Sequence, residues 1–313
     1  MKNLQVDFVL LGGARRVTLA EQISGIALAN GIDASFYSVE RDDGFYPISS
    51  VAKVVEGPRF GSEDFEPFLA GMMAKHDNPV LLACMDLAVH PLAKMVGKRF
   101  GESTILGPTA RGARIAGDKS LTAEFCRALG IDHPRQYFNR DDIDRKVIAK
   151  PREGFGGKGI TVALSADEID PALFETHVIQ DFIEGPETTH DVYVAKDGRI
   201  SIGSRDRIAV VDGEVDHCVV RLPTDDERLI ISKIVASHEF AGPITVQTIR
   251  GSKGLSLIEI NSRLGGGVTA SIAAGIPIIE RLLADATGRT ISERNFRPLE
   301  MKRARRDFYR FLD

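Results

Sequence analysis

The sequence predicts a two-part fold: a doubly wound α/β lobe first, then an α+β region built from hairpins and short helices. Three observations predict it. An apolar run, Val6 to Leu11, meets Gly12-Gly13, then a stretch with helical apolar spacing, then a second strand-forming run. That order is a βαβ unit. Later, strand-forming runs follow one another through turn signals such as Asp197-Gly198, as antiparallel hairpins do. Finally, Ile258-Glu259-Ile260-Asn261-Ser262-Arg263 places three polar side chains at i, i+2 and i+4 just before Leu264-Gly265-Gly266-Gly267. On a strand these share one face; on a helix the first two diverge. The 313 residues suggest two or three lobes, with expected divisions at 1–108, 109–186 and 187–313.

Composition narrows the function classes. The chain is 43% hydrophobic and 27% charged, ordinary for a globular protein. A net charge of −4 gives no general pull toward nucleic acid or an anionic membrane. Cys84, Cys126 and Cys218 lie far apart with no C-x-x-C spacing, which argues against a cysteine metal cluster or a disulfide framework. Such usage fits a reducing cytoplasm, the expected location. No signal-peptide pattern opens the sequence, and no apolar run reaches the roughly 18 residues of a membrane span.

In the first lobe, Val6 to Leu11 reads as a buried parallel strand with Gly12-Gly13 as its turn. Thr18 to Ala29 is predicted helical, with Leu19, Ile23, Ile26 and Ala27 on the apolar side and Gly31 ending it. Ala34 to Val39 is the second strand. The dinucleotide fingerprint G-x-G-x-x-G is absent. Arg15-Arg16 after the turn can meet an anion or stay solvated, and both readings stand. Phe65 to His76 is a predicted helix and Pro79 to Cys84 a third strand. Asp86 follows at the carboxyl end, where such sheets face ligand, although a lone acid there also suits a loop or a cap. A helix over Leu92 to Phe100 and a short strand at Ile105-Leu106 close the lobe at Gly107-Pro108.

Asp118-Lys119 precedes a helix, Leu121 to Leu129, closed by Gly130. Lys146 to Pro151 is a strand carrying Lys150 near its end, and Pro151 prevents a helix from continuing there. The loop that follows holds Gly154, Gly156, Gly157, Lys158 and Gly159. Glycines let backbone N–H groups turn toward an anion without Cβ clashes. The loop is not a Walker A motif, because the spacing fails and a strand follows. It reads either as a glycine loop over phosphates or as a plain hairpin. Val178 to Ile183 is a strand broken by Glu184-Gly185-Pro186.

Glu187 to Val194 and Arg199 to Ile202 form a hairpin, and Val211 to Glu214 is a further turn. Arg205 and Arg207 alternate onto one face. That face either holds a substrate carboxylate, which a guanidinium fork fits, or is solvated. Arg228 to Glu239 is a helix and Pro243 to Ile249 a strand. The turn at 251–254 then brings Gln247 opposite Glu259 on an antiparallel neighbour. Ala270 to Ala274 and Pro277 to Leu283 are helical. The basic tail, Met301 to Asp313, reads as an edge strand protected by charge. His76 and His190 read as structural.

Taken together, Glu259, Asn261 and Arg263 offer oxygen ligands for a hard cation beside a fixed positive charge, which suits the phosphates of Mg-ATP. On these residues the chain resembles the ATP-grasp ligases, in particular stand-alone proteins similar to the carbamoyl phosphate synthase large subunit. The resemblance implies a Rossmann-like pre-ATP-grasp domain followed by a two-lobed ATP-grasp fold. Ile115-Ala116-Gly117-Asp118-Lys119 and Ala149-Lys150-Pro151 are similar to the family's two phosphate lysines in context. Gly154 to Gly159 resembles its mobile glycine loop. Gln180-Asp181-Phe182-Ile183 and Glu187 resemble the strip that reads adenine and ribose. Gln247, Glu259 and Asn261 resemble the metal ligands, with Arg263 at the transferred phosphoryl group. Gln247 stands where many relatives carry an acid, which implies one weaker metal site.

The implied cofactors are ATP and Mg2+, with Mn2+ as an alternative. The implied reaction joins a small-molecule carboxylate to an amine through an acylphosphate. Two other readings stay open: phosphorylation of bicarbonate or carbamate, and a nucleotide-binding regulator without turnover. Asp86 and Arg15 are weak candidates for the acceptor side. A homodimer through the first lobe is compatible with the sequence.

Overall fold

Side chains that alternate along one strand set the layering of the first lobe. β1 (Leu4–Leu11), α1 (Val17–Ala29), β2 (Ile32–Glu40), β3 (Lys53–Glu56), α2 (Phe65–Met73) and β4 (Val80–Ala83) build a parallel four-stranded sheet of order β3-β2-β1-β4. The computed structural model describes residues 4–76, 78–101, 103–154, 159–211 and 213–311. On β1, Val6, Phe8 and Leu10 enter one core with α1, while Val9 and Leu11 enter another with Phe65, Leu69 and Met73 of α2. Period-two alternation therefore places helices on both faces of the sheet.

α3 (Val89–Ala93) packs into the second of these cores, and β5 (Arg99–Phe100) and β6 (Ser103–Thr104) form a small antiparallel ladder. This corrects the expected helix over Leu92 to Phe100 and the expected strand at Ile105-Leu106. Gly97 adopts φ +80, and a left-handed residue cannot extend a right-handed helix.

α4 (Ala110–Gly117) and α5 (Lys119–Leu129) lead to a second sheet. The Thr109 hydroxyl accepts from Gly112 N–H to cap α4, and the Asp118 carboxylate accepts from Ser120 N–H to cap α5. β7 (Gln136–Tyr137), β8 (Val147–Pro151), β9 (Thr161–Ala163), α6 (Leu173–Thr176) and β10 (His177–Asp181) follow, and the strands form an antiparallel sheet of order β7-β10-β8-β9. It has a core of its own, centred on Tyr137, Val147, Ala149 and Ile179.

The third sheet is antiparallel and six-stranded. β11 (Glu187–Val194), β12 (Ile200–Val211), β13 (Glu214–Arg221), β14 (Gly242–Gly251), β15 (Gly254–Asn261) and β16 (Leu299–Lys302) take the order β15-β14-β11-β12-β13-β16. α7 (Asp225–Ala236) covers one face through Ile230, Ile231 and Ile234. α8 (Val268–Ala273) and α9 (Ile278–Thr287) contribute Val268, Ile272, Ile279 and Leu283 to the core that also holds Phe8 and Ile23. The first lobe and the third sheet thus share one interior. Among the described residues the tail forms a strand only at β16, correcting the longer edge strand expected. Arg303 turns away to pair with Glu214 and to donate to the Gly266 carbonyl at 2.7 Å. Arg306 reaches Glu21 at 2.6 Å, and Phe308 packs on the shared core.

Candidate active site

The pairing of β14 with β15 builds the centre of the site. Gln247 lies opposite Glu259 and Thr245 opposite Asn261, with a bulge between Gln247 and Thr248. Gln247, Glu259, Asn261 and Arg263 line one cleft of about 580 Å³ between the first lobe and the third sheet. Gln247 Nε2 donates to Glu187 Oε1 at 2.7 Å. That bond fixes the amide, leaving its carbonyl oxygen as the available acceptor.

The charges gather around Glu259. Burial raises its carboxyl above the ordinary range, while Lys119, Arg263 and Lys150 pull the other way. Burial holds the Lys150 ammonium below the ordinary lysine range, with Glu259 and Glu187 opposing and Lys119 adding to the effect. Lys150 is buried on β8; Lys119 opens α5 and donates to the Gly154 carbonyl at 3.2 Å. Two strands and a helix start therefore bring the two lysines and Glu259 into one electrostatic neighbourhood.

Among the described residues no three His, Cys, Asp or Glu side chains are arranged for a metal ion. One carboxylate and two amide oxygens are hard donors that fit Mg2+ or Mn2+, provided phosphate and water complete the shell. The residues fit such an ion as a nucleotide-bound one.

Gln180 to Ile183, the segment that resembles an adenine-reading strip, lies on β10 and just beyond it. Gln180 is buried, and Asp181, Phe182 and Ile183 line a second cavity of about 770 Å³ with Lys146. Asp181 accepts from the Tyr137 hydroxyl at 2.7 Å, and Lys146 Nζ stands 4.0 Å from the centre of the Phe182 ring. Gly159 is described at φ +73. Gly156, Gly157 and Lys158 lie outside the described residues.

The two candidate carboxylate holders differ sharply. Both Arg205 and Arg207 line the cleft, but Arg205 is only 2% exposed. Its Nε and Nη2 donate to Asp191 at 2.6 and 3.0 Å, and Ser271 Oγ also donates to Asp191, at 2.6 Å. Arg205 is thus corrected from a substrate fork to the counter-ion of a buried carboxylate, which could not stand unpaired. Arg207 donates Nη1 to Glu187 and keeps Nε buried with no partner.

Arg263 also has a partner that the sequence did not suggest. Its Nε and Nη2 donate to Asp86 at 2.6 and 2.8 Å, across 177 positions of chain. Asp86, just beyond β4, is therefore neither a plain loop residue nor free to meet a ligand with both oxygens. Arg16, which the sequence left open between an anion and solvent, and Glu40, which it did not single out, line the same cleft. The one available signal was the unexplained pair Arg15-Arg16 after the glycine turn.

Residues 116–267 match a family model described as an ATP-grasp domain. The similarity to ATP-grasp domains covers just under half of the chain. The ATP-grasp span includes Lys119, Lys150, Gln180, Glu187, Gln247, Glu259, Asn261 and Arg263. Over 127 residues the chain is similar to a carbamoyl-phosphate synthase of Methanobrevibacter smithii, at 32% identity, covering 37% of this chain and 35% of that protein. It is also similar to the 3-methyl-D-ornithine–L-lysine ligase of Methanosarcina acetivorans, at 27% identity over 186 residues, 58% of this chain and 48% of the other. The chain thus spans about half or less of the length of these relatives. In fold it is similar to N5-carboxyaminoimidazole synthetase from Staphylococcus aureus complexed with ADP, with a TM-score of 0.69 at 16% identity, covering 94% of this chain and 80% of that one. No helix among the described residues is long and apolar enough to cross a membrane.

Proposed function

We propose that this chain is an ATP-dependent carboxylate–amine ligase that works through an acylphosphate. The observation that carries the reading is Glu259 with Arg263, Gln247 and Asn261 on one cleft, with the charges of Lys119 and Lys150 close enough to act on Glu259. The similarity to an amino-acid ligase supports the same reaction class. In this reading residues 1–108 form a Rossmann-like pre-ATP-grasp domain, 109–186 a lid, and 187–313 the lobe that carries the metal ligands. The hinge backbone at Gln180 to Ile183 takes adenine, the 770 Å³ cavity lying beside it. Arg207 and Gln247 both donate to Oε1 of Glu187, which leaves Oε2 for the ribose hydroxyls.

Glu259, Asn261 and Gln247 hold Mg2+ or Mn2+, which when bound neutralises charge on the ATP phosphates. Lys119, Lys150 and the glycine loop orient the γ-phosphoryl group. Arg263 is held by Asp86 through Nε and Nη2 and presents Nη1 to the group in transfer. Arg207 holds the substrate carboxylate, whose oxygen attacks phosphorus while ADP leaves. The amine then attacks the acyl carbon, expels phosphate and loses a proton. The lid excludes water, which would otherwise hydrolyse the acylphosphate. The three buried, free cysteines suit a cytoplasmic setting.

The test is ADP release with Mg-ATP across a panel of amino-acid pairs. Turnover that requires both an acid and an amine supports the ligase. A second reading, phosphorylation of bicarbonate or carbamate, draws on the similarity to a carbamoyl-phosphate synthase. Turnover with bicarbonate alone would favour it, and stoichiometric ATP binding without turnover on any acid would favour a regulator.

A further inference from the structure

The first lobe sends two arginines into the cleft that the nucleotide chemistry does not use. Arg15 and Arg16 stand on the turn between β1 and α1. That turn is pressed against its neighbours. A Cβ on Gly12 would lie 2.4 Å from the Met85 sulfur, and one on Gly13 2.6 Å from Ser38 Oγ. Two of its backbone N–H groups, at Gly13 and Ala14, face the Glu40 carboxylate, which also accepts from the Ser38 hydroxyl at 2.7 Å. A carboxylate in that position keeps a ligand phosphate out of the turn itself and leaves recognition to side chains.

The two side chains are placed but not neutralised. Arg16 Nη2 donates to the Cys84 carbonyl at 2.7 Å, which anchors the guanidinium without cancelling its charge. A Cβ on Gly266 would come 3.3 Å from Arg16 Nη1, so the side chain spans the gap to the third-sheet lobe. Arg15 is exposed, and no carboxylate among the described residues pairs with either arginine. Of the other acids of the cleft, Asp86 is taken by Arg263 and Glu214 by Arg303, and Glu259 feels Lys119, Arg263 and Lys150. Arg207 supplies a further cation on the same cleft, with its Nε unsatisfied.

We propose that the acid substrate carries a second oxyanion, held by Arg15 and Arg16 while Arg207 holds the carboxylate that is activated. The inference rests on the ligase reading and names the class of its acid: a small organic dianion, with either a second carboxylate or a phosphate-type group. A monoanion would leave two guanidinium groups in the cleft without a charge partner.

The test is calorimetric titration of the full chain, first with MgADP alone and then with propionate, succinate or 3-phosphonopropionate in its presence. The expected result is that one or both dianions bind at least about tenfold tighter than propionate. The succinate and phosphonate arms tell which oxyanion is preferred. In the Arg15→Gln/Arg16→Gln variant that preference collapses while MgADP affinity holds, and Arg15→Lys/Arg16→Lys restores part of it. Should the double Gln variant fail to fold, Arg15→Gln alone, at an exposed and unpartnered position, makes the same comparison. Equal binding of propionate and the dianions, no binding of any of the three, or a preference that survives the Gln variants overturns the proposal. Loss of MgADP binding in the unmodified chain would sink the ligase reading along with it.

Discussion

Glu259 sits where burial favours its neutral form and three cations favour its charge. Glu259→Gln keeps the shape and removes the charge that a bound cation would meet. The expected cost is about 100-fold or more in ADP release, with the melting temperature little changed. Arg205 and Arg207 should separate in the same pair of assays. Arg205→Ala leaves Asp191 buried without its partner and should destabilise the fold by about 3–5 kcal/mol, whereas Arg207→Ala should raise KM for the acid and spare stability. His190 offers a pH test. Its ring nitrogens meet Ser204 Oγ at 2.8 Å and Thr248 Oγ1 at 2.9 Å, and burial pushes it down to about 4. The unfolded chain takes up this proton near 6.5, the folded chain only near 4. Stability is therefore lost as pH falls through that window, by about 3 kcal/mol in all, and is unaffected above it. Glu227, lowered to about 2 with its partner Arg221 and the Thr224 N–H, continues the loss from 4.5 downward. Melting curves from neutral to acid pH should show the first step in the native chain and not in His190→Gln.

At the scale of elements, the link from β10 to β11 decides how the second sheet sits on the third. Gly185 packs so closely there that a Cβ would lie 2.1 Å from the Arg250 carbonyl oxygen. Gly185→Ala should cost about 2 kcal/mol or more in denaturant unfolding, because backbone cannot step aside as a side chain can. The register of Gln247 on Glu259 was legible in the sequence: two strand runs joined by a short turn leave few pairings, and period two settles which face they share. The helix start at Asp118 was legible for similar local reasons, whereas α7 begins at Asp225, three positions before the expected Arg228, because Thr224 and Glu227 close a capping box there. The partnership of Asp86 with Arg263 was not, since nothing in a linear pattern joins positions 177 apart. Nor could the Arg205 mistake be avoided from sequence, because its alternation with Arg207 is real and only the burial of Asp191 on the adjacent strand separates them. The tail misled for a different reason: residues with strand propensity were drawn off by the Arg303, Arg306 and Phe308 contacts.

At the scale of the molecule, the second sheet has a separate core, whereas the first lobe and the third sheet are fused through one. Nucleotide binding should therefore slow hydrogen exchange on β8 and β10 and leave β1 and β4 as they were; uniform protection throughout would contradict a moving lid on a fixed base. The fused interior has a second outcome, in time rather than space. Val6, Phe8 and Leu10 share one core with Ile272, Ile279 and Leu283, which leave the ribosome more than 250 positions later. Until α8 and α9 emerge, the nascent N-terminal sheet must wait with one greasy wall bare. The fragment ending near residue 108 should accordingly precipitate or recruit a holding chaperone when made alone, and the shared interior should close only after α9 has been made.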